Sequence, residues 1–142
     1  MAQALEKTLY TAHATANHGR DGGAKTSDRN LDVKLSVPKE MGGPGGTGTN
    51  PEQLFAAGYA ACFGSAAAHV ARMQKLETGP IEITANVGIG PAGKGFGLQV
   101  ELVANIPNMD RAAAQKLIET AHEVCPYSNA TRGNIVVDVK LA

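Results

Sequence analysis

Residues 50–75, NPEQLFAAGYAACFGSAAAHVARMQK, decide the fold of this chain. Asn50 can cap the first turn of a helix, and Pro51 suits the first helical position, where a missing N–H costs nothing. Residues 54–71 carry no formal charge, and a helix that is apolar all round is usually buried. The run is also long enough to cross a membrane, but its many alanines and glycines are only weakly hydrophobic. We therefore predict a buried helix in the core of a soluble protein.

The length of the chain indicates one domain, and its composition argues against several functions. A chain of 142 residues suits one domain, so we predict a single domain over residues 1–142. Thirteen Lys and Arg balance thirteen Asp and Glu, which argues against nucleic acid or an anionic membrane as a partner. The first ten residues, MAQALEKTLY, do not resemble a signal peptide. Two cysteines without an export signal indicate the reducing cytoplasm, where a cysteine pair is more often redox-active than structural.

Alternating apolar residues predict strands on both sides of the central helix. The predicted strands are 5–16, 31–37, 81–89, 96–106 and 134–141. The Gly/Pro-rich connection 90–95 predicts an antiparallel hairpin, and helical spacing predicts a second helix that ends at Cys125, before Pro126. The glycine-rich segment 41–49 is predicted to be a loop, since no Lys-Ser/Thr of a phosphate-binding loop follows it.

This order of elements indicates an α+β fold with mainly antiparallel sheets. Two small sheets from one chain would hardly cover a helix that is apolar on every side. A dimer that pools strands and helices from two chains would cover it better. We therefore expect a homodimer.

The two cysteines are the leading candidates for chemistry. Cys62 lies in the middle of the central helix and Cys125 at the end of the second, so both are expected to face the same core. Free cysteines often only fill space, and a pair of inert core thiols is the alternative. A buried thiol has a raised pKa and reacts slowly unless a positive charge stabilises its thiolate.

Arg20 and Glu52 are the candidates for such an activating pair. A guanidinium beside the thiol would favour the thiolate, and a carboxylate would hold the planar guanidinium in place. The ordinary alternatives are a solvated turn residue for Arg20 and a charge that complements the helix N-terminus for Glu52. Glu52 precedes Cys62 by ten positions, about 15 Å along one helix. If these residues form one site, we predict that the site draws on two chains.

A metal site is not predicted. Four histidines and two cysteines are present, but none shows the CxxC or HxxxH spacing typical of zinc sites. His122 and Cys125 lie three apart on one helix, which alone is too few ligands.

Three segments carry long motifs: NPEQLFAAGYAACF around Cys62, CPYSNATRGNI around Cys125, and GRDG around Arg20. They resemble the organic hydroperoxide resistance (Ohr) branch of the OsmC/Ohr family, and the likeness runs over nearly the whole chain. The second motif has the Ohr form, which disfavours the sibling OsmC branch. One departure is His18, where a small residue is expected before GRDG.

The resemblance implies an OsmC-like, intertwined homodimer whose antiparallel sheets wrap two central helices. It implies a thiol peroxidase that reduces organic hydroperoxides to alcohols in defence against oxidative stress. Cys62 would be the peroxidatic thiol, Cys125 the resolving thiol, and Arg20 with Glu52 the activating pair. No bound cofactor is implied, because a lipoylated protein would reduce the resulting disulfide.

Apolar residues near the thiols are expected to favour bulky, lipid-like hydroperoxides, since each buried CH₂ contributes about 0.8 kcal/mol. The candidates for binding substrate are Phe55, Phe63, Met41 and Tyr127, with Leu54 and Ile106 as further choices. Tyr127 could instead bond Arg20 or simply pack. Two rival functions stay open: a redox sensor using the same thiols, and a carrier of small apolar ligands that has no need of Cys62.

Overall fold

The computed structural model describes residues 2–142 and divides into two compact units, one ending at Pro51 and one running from Glu52 to Ala142. The first unit holds a three-stranded antiparallel sheet of β1 (Ala14–Asn17), β2 (Gly23–Thr26) and β3 (Asp32–Lys34), in that order. Short 3₁₀ turns occupy Gly19–Asp21 and Lys39–Met41. The single domain over residues 1–142 stays a prediction.

The strands of the first unit are shorter than the sequence predicts. The strand predicted for residues 5–16 is wrong up to residue 13, since only β1 pairs with a neighbour. Its apparent alternation came mostly from alanines, which carry little information about burial. β2 was not predicted because Gly-Ala-Lys-Thr has no apolar alternation; its pairing on both sides makes it a strand. The alternation at residues 31–37 reflects β3, after which Leu35 adds an isolated bridge to Thr49.

The predicted central helix is confirmed as α1, Pro51–Met73. By length and composition it could cross a membrane, a test that the core helix of a soluble protein also passes. Six of its residues are buried in the hydrophobic core of the second unit: Tyr59, Phe63, Ala66, Ala67, Val70 and Ala71. This burial supports the prediction of a core helix.

The predicted hairpin is also confirmed. β4 (Glu82–Ala92) and β5 (Gly95–Asn105) pair antiparallel over their full length. The strands run into the segment predicted as a loop, so only Gly93 and Lys94 form the turn. Gly93 has a φ of 56°, the left-handed conformation that two-residue hairpin turns favour.

The prediction of mainly antiparallel sheets is confirmed, and the last strand is the one exception. The chain continues through α2 (Arg111–Val124), α3 (Pro126–Thr131) and β6 (Val137–Leu141), and β6 pairs parallel with β5. The two helices form a crossover connection, which returns the chain to the sheet in the same direction. α3 was missed because Pro126 was interpreted only as the end of a helix, although proline is also favoured at the first position of one.

The core of the second unit lies between one face of this sheet and the helices. Val100, Leu102 and Ala104 alternate inward along β5, while α2 contributes Leu117 and Ile118. The side chain of Asp110 caps α2 by accepting a hydrogen bond from the N–H of Ala113 at 3.1 Å. These elements place both cysteines at the same end of the core.

Candidate active site

The two cysteine sulfurs are neighbours. Cys62 lies on α1 and Cys125 between α2 and α3, and their Sγ atoms are 3.6 Å apart. Both are free thiols; Cys125 is fully buried and Cys62 half-buried. As expected from the sequence, both thiols belong to the same core. A disulfide would require the sulfurs to approach each other by only about 1.5 Å.

The bend between α2 and α3 sets the position of Cys125. Residue 125 follows the last residue of α2 and precedes α3, with an extended backbone (φ −64°, ψ 125°). Its N–H donates to the carbonyl of Ala121 and its carbonyl accepts from the N–H of Asn129, each at 2.9 Å. Cys125 thus closes one helix and opens the next, with its thiol turned toward α1.

The surroundings of Cys62 in the second unit favour the neutral thiol. Burial raises the pKa of Cys62 above its ordinary range, and the adjacent Cys125 raises it further. A hydrogen bond from the backbone of Tyr127 lowers the same pKa in part. A positive charge beside the sulfur would oppose this rise and favour a reactive thiolate at neutral pH.

Three aromatic rings gather on the N-terminal side of Cys62. Phe55, Tyr59 and Tyr127 have ring centroids 6.2, 6.1 and 5.5 Å apart in edge-on or tilted pairs. Gly58 makes room for this cluster, since a Cβ there would lie 2.7 Å from the Tyr127 hydroxyl. Substitution of Gly58 would therefore displace Tyr127.

A mostly apolar cavity of about 420 Å³ adjoins these rings. Phe55 and Tyr127 line it together with Leu98 and Ile135. Tyr127 follows Cys125 by two residues, so this wall of the cavity continues into the bend that carries Cys125. Phe55 and Tyr127 are two of the residues that the sequence suggested for substrate binding.

The other predicted residues belong to both units. Arg20 lies in the 3₁₀ turn Gly19–Asp21, which His18 precedes in a left-handed conformation with φ 54°. Met41 also belongs to the first unit and is 37% exposed, whereas Phe63 is fully buried in the core of the second. Glu52 lies in the first turn of α1, so it is about 15 Å from Cys62 of the same helix. The roles of these residues stay predictions.

A buried polar cluster beside the thiols was not predicted. Ser128 Oγ lies 2.9 Å from the Tyr59 hydroxyl and 2.7 Å from Nδ1 of His122, and the Tyr59 hydroxyl is 3.1 Å from Thr131 Oγ1. Tyr59 and Ser128 are fully buried and Thr131 is 5% exposed. The only sequence signal was the motif CPYSNATRGNI, which contains Ser128 and Thr131 but does not indicate their partner on α1.

The surroundings of His122 favour its neutral form. Burial lowers its pKa, the positive charge of Arg132 lowers it further, and Glu123 opposes this change. Within residues 2–142, no group of three or more His, Cys, Asp or Glu side chains could hold a metal ion. The contact of its Nδ1 with Ser128 Oγ at 2.7 Å gives His122 a hydrogen-bonding role.

We expect His122 to make the protein less stable in acid. Because its folded pKa lies below the unfolded value of 6.5, the unfolded chain binds the extra proton first, so stability is lost as pH falls from 6.5 toward the folded pKa. Substitution His122→Asn keeps a donor near Nδ1 but does not titrate. Chemical denaturation at pH 7.5 and 5.5 should show a smaller loss of unfolding free energy in the variant. An equal loss in both proteins contradicts this expectation.

Known proteins share this architecture over nearly the whole chain. A model of the family described as OsmC-like protein matches residues 43–140. The organic hydroperoxide resistance protein of Xanthomonas axonopodis pv. citri is 60% identical over 138 residues, 96% of this chain and 97% of that protein.

Two solved structures show the same fold. Organic hydroperoxide resistance protein OhrB of Bacillus subtilis is 47% identical, with a TM-score of 0.87 over 95% of this chain and 100% of that one. An organic hydroperoxide resistance protein OsmC from Legionella pneumophila is 49% identical, with a TM-score of 0.91 over 96% of this chain and 99% of that one. The likeness therefore includes every element around the thiols.

Proposed function

This chain belongs to the organic hydroperoxide resistance branch of the OsmC-like protein family, and on that premise we propose that it is a thiol-dependent peroxidase that reduces organic hydroperoxides to alcohols. The observation that carries the proposal is the pair of free thiols with sulfurs 3.6 Å apart. The relatives' names supply the substrate class. The proposed role is defence against oxidative stress in the cytoplasm.

The reaction begins at Cys62, the more exposed of the two thiols. Its thiolate attacks one peroxide oxygen, the O–O bond breaks, and the alcohol leaves after taking up a proton. Cys62 is then a sulfenic acid. The sulfur of Cys125 attacks the sulfenic sulfur, an S–S bond forms, and the oxygen leaves as water. This second step protects Cys62 from further oxidation.

An external dithiol completes the cycle. Since Cys125 is fully buried and Cys62 is not, a reductant reaches the Cys62 sulfur first and forms a mixed disulfide there, releasing Cys125. Its second thiol then displaces Cys62. A dihydrolipoyl group on a lipoylated protein has this chemistry, and the enzyme itself needs no bound cofactor.

Arg20 and Glu52 complete the site in this proposal. Arg20 opposes the rise in the pKa of Cys62 and polarises the peroxide, and Glu52 orients the guanidinium. Because Glu52 is about 15 Å from Cys62 along α1, Glu52 acts on the Cys62 of a second chain. Exposed residues at four-residue spacing on α1 support a homodimer, since their mostly small side chains suit close packing by a second copy: Ala57, Ala61, Ser65 and His69.

A complementation experiment tests this two-chain site. Heterodimers of one Cys62→Ser chain and one Glu52→Gln chain, isolated with two different tags, should contain one intact site, with Cys62 from one chain and Glu52 from the other. We expect their activity to exceed that of both parent homodimers. Activity no higher than that of the Glu52→Gln parent means that the two residues act within one chain.

The alkyl part of the hydroperoxide is proposed to occupy the apolar cavity beside Phe55 and Tyr127. Burial of alkyl groups there favours organic hydroperoxides over hydrogen peroxide, by about 0.8 kcal/mol for each CH₂.

Consumption of cumene hydroperoxide with dihydrolipoamide tests the function as a whole. We expect steady turnover with one alcohol formed per peroxide, and slower turnover of hydrogen peroxide. A stable disulfide without turnover would instead favour a redox sensor.

A further inference from the structure

The Ser128 hydroxyl joins all three helices that surround the thiols. It lies on α3, contacts the hydroxyl of Tyr59 on α1 at 2.9 Å, and contacts Nδ1 of His122 on α2 at 2.7 Å. Ser128 is fully buried, so water does not compete for these bonds.

The residues in these contacts lie three positions from one of the two cysteines along the chain. Tyr59 precedes Cys62 by three residues, His122 precedes Cys125 by three, and Ser128 follows Cys125 by three. The bond from Ser128 to His122 therefore closes the bend that carries Cys125. The bond from Ser128 to Tyr59 fastens that bend to the turn of α1 just before Cys62.

Each hydroxyl has only one proton to donate, and this fixes which group donates in each hydrogen bond. The Thr131 hydroxyl donates to the carbonyl of Ser128 at 3.2 Å, so it can only accept from Tyr59. With the Tyr59 proton used there, the Ser128 hydroxyl donates to the Tyr59 oxygen. Nδ1–H of His122 then donates to Ser128. A single directed chain runs from His122 to Thr131, with Ser128 in its middle.

We propose that Ser128 is a positioning residue for disulfide formation: its bonds to Tyr59 and His122 hold Cys125 against Cys62 so that the two sulfurs join rapidly. The inference rests on the proposed function only in naming the sulfenic acid as the oxidant of Cys125. In that step the S–S bond forms, the S–O bond of Cys62 breaks, and the oxygen leaves as water. Ser128 touches neither sulfur in this step and acts by limiting the motion of the bend.

A redox equilibrium tests the positioning role without any peroxide. The protein is equilibrated with mixtures of reduced and oxidised dithiothreitol, and the fraction with a Cys62–Cys125 disulfide is measured by mass spectrometry. We expect Ser128→Ala and Tyr59→Phe each to shift the equilibrium toward the dithiol by about tenfold. The double variant should shift it no further than Ser128→Ala alone, since both changes break the same link.

Thr131→Val is the matched control. It removes a buried hydroxyl from the same helix but leaves both partners of Ser128 in place. We expect it to shift the equilibrium less than twofold, with unfolding free energies measured for every variant. A wild-type equilibrium in Ser128→Ala overturns the proposal, and so does an equal shift in Thr131→Val, which would indicate general loosening of the core.

A single-turnover experiment with cumene hydroperoxide measures the same role during the reaction. In Ser128→Ala we expect sulfenic acid to form on Cys62 at the wild-type rate and the disulfide to close about tenfold more slowly. Excess peroxide should then convert more Cys62 to sulfinic acid than in wild type. Unchanged closure overturns the positioning role. Failure of the wild type to form sulfenic acid would overturn the peroxidase instead, and the dithiothreitol equilibrium would still decide the role of Ser128.

Discussion

Substitution Cys62→Ser should lower kcat/KM for cumene hydroperoxide by at least about 10³-fold, or about 4 kcal/mol of activation free energy. The thiolate is the reacting form of cysteine, whereas a serine hydroxyl stays protonated at every working pH. The other thiol of the pair, Cys125 at 3.6 Å, is fully buried and is not expected to replace Cys62. The measurement is peroxide consumption with dihydrolipoamide as the reductant.

Cys125→Ser is the matched control for this prediction. It leaves the attacking thiol intact, so without a reductant the variant should consume the first equivalent of peroxide rapidly. Mass spectrometry should then find sulfenic acid on Cys62 and no intramolecular disulfide, and a second equivalent of peroxide should convert the sulfenic acid to sulfinic acid. Full turnover in Cys62→Ser would rule out the proposed peroxidase mechanism, because peroxide would then be consumed without the thiol of Cys62.

Arg20→Gln should reduce the second-order rate with peroxide by about a hundredfold at pH 7, because a neighbouring cation lowers a thiol pKa by about two units. Burial and Cys125 already raise the pKa of Cys62, and after loss of the guanidinium the hydrogen bond from the Tyr127 backbone opposes this rise only in part. Below that pKa the thiolate fraction grows tenfold with each pH unit. The defect should therefore shrink as pH rises from 7 to 9, although the lost polarisation of the peroxide remains. Stopped-flow rates across this range give the profile.

Two further arginine variants separate charge from geometry. Arg20→Lys keeps a positive charge without the planar fork, and its rate should lie between those of wild type and Arg20→Gln. Arg29→Gln removes an exposed arginine of the same unit that pairs with Asp32 at 3.7 Å, and its rate should match wild type. An unchanged rate and pH profile in Arg20→Gln would remove Arg20 from the mechanism.

The sequence predicted best those elements whose burial is decided locally. α1 follows from a run of apolar residues. The β4–β5 hairpin follows from two alternating runs and from the Gly/Pro-rich turn between them. The parallel pairing of β6 with β5 could not be predicted, because it depends on where two helices return the chain. β2 was missed because its side chains carry no alternation, and its strand structure comes from backbone pairing on both sides.

In the site, too, the sequence predicted local features and missed the contacts between distant segments. Cys62 and Cys125 could be predicted because a thiol on an apolar helix is conspicuous, and their motifs have a strong family resemblance. The hydrogen bonds between Ser128, Tyr59 and His122 could not, because they join residues up to 69 positions apart. Motif spacing describes neighbours along the chain and gives no distance between helices.

The crossover that brings β6 beside β5 also determines when the thiols meet during biosynthesis. Cys62 leaves the ribosome 63 residues ahead of Cys125, and the pairing of distant segments is a late event in folding. Under the proposed mechanism, peroxide would therefore oxidise Cys62 of a nascent chain before the resolving thiol of Cys125 has been synthesised. Protection of Cys62 from over-oxidation would be acquired only with the last third of the polypeptide.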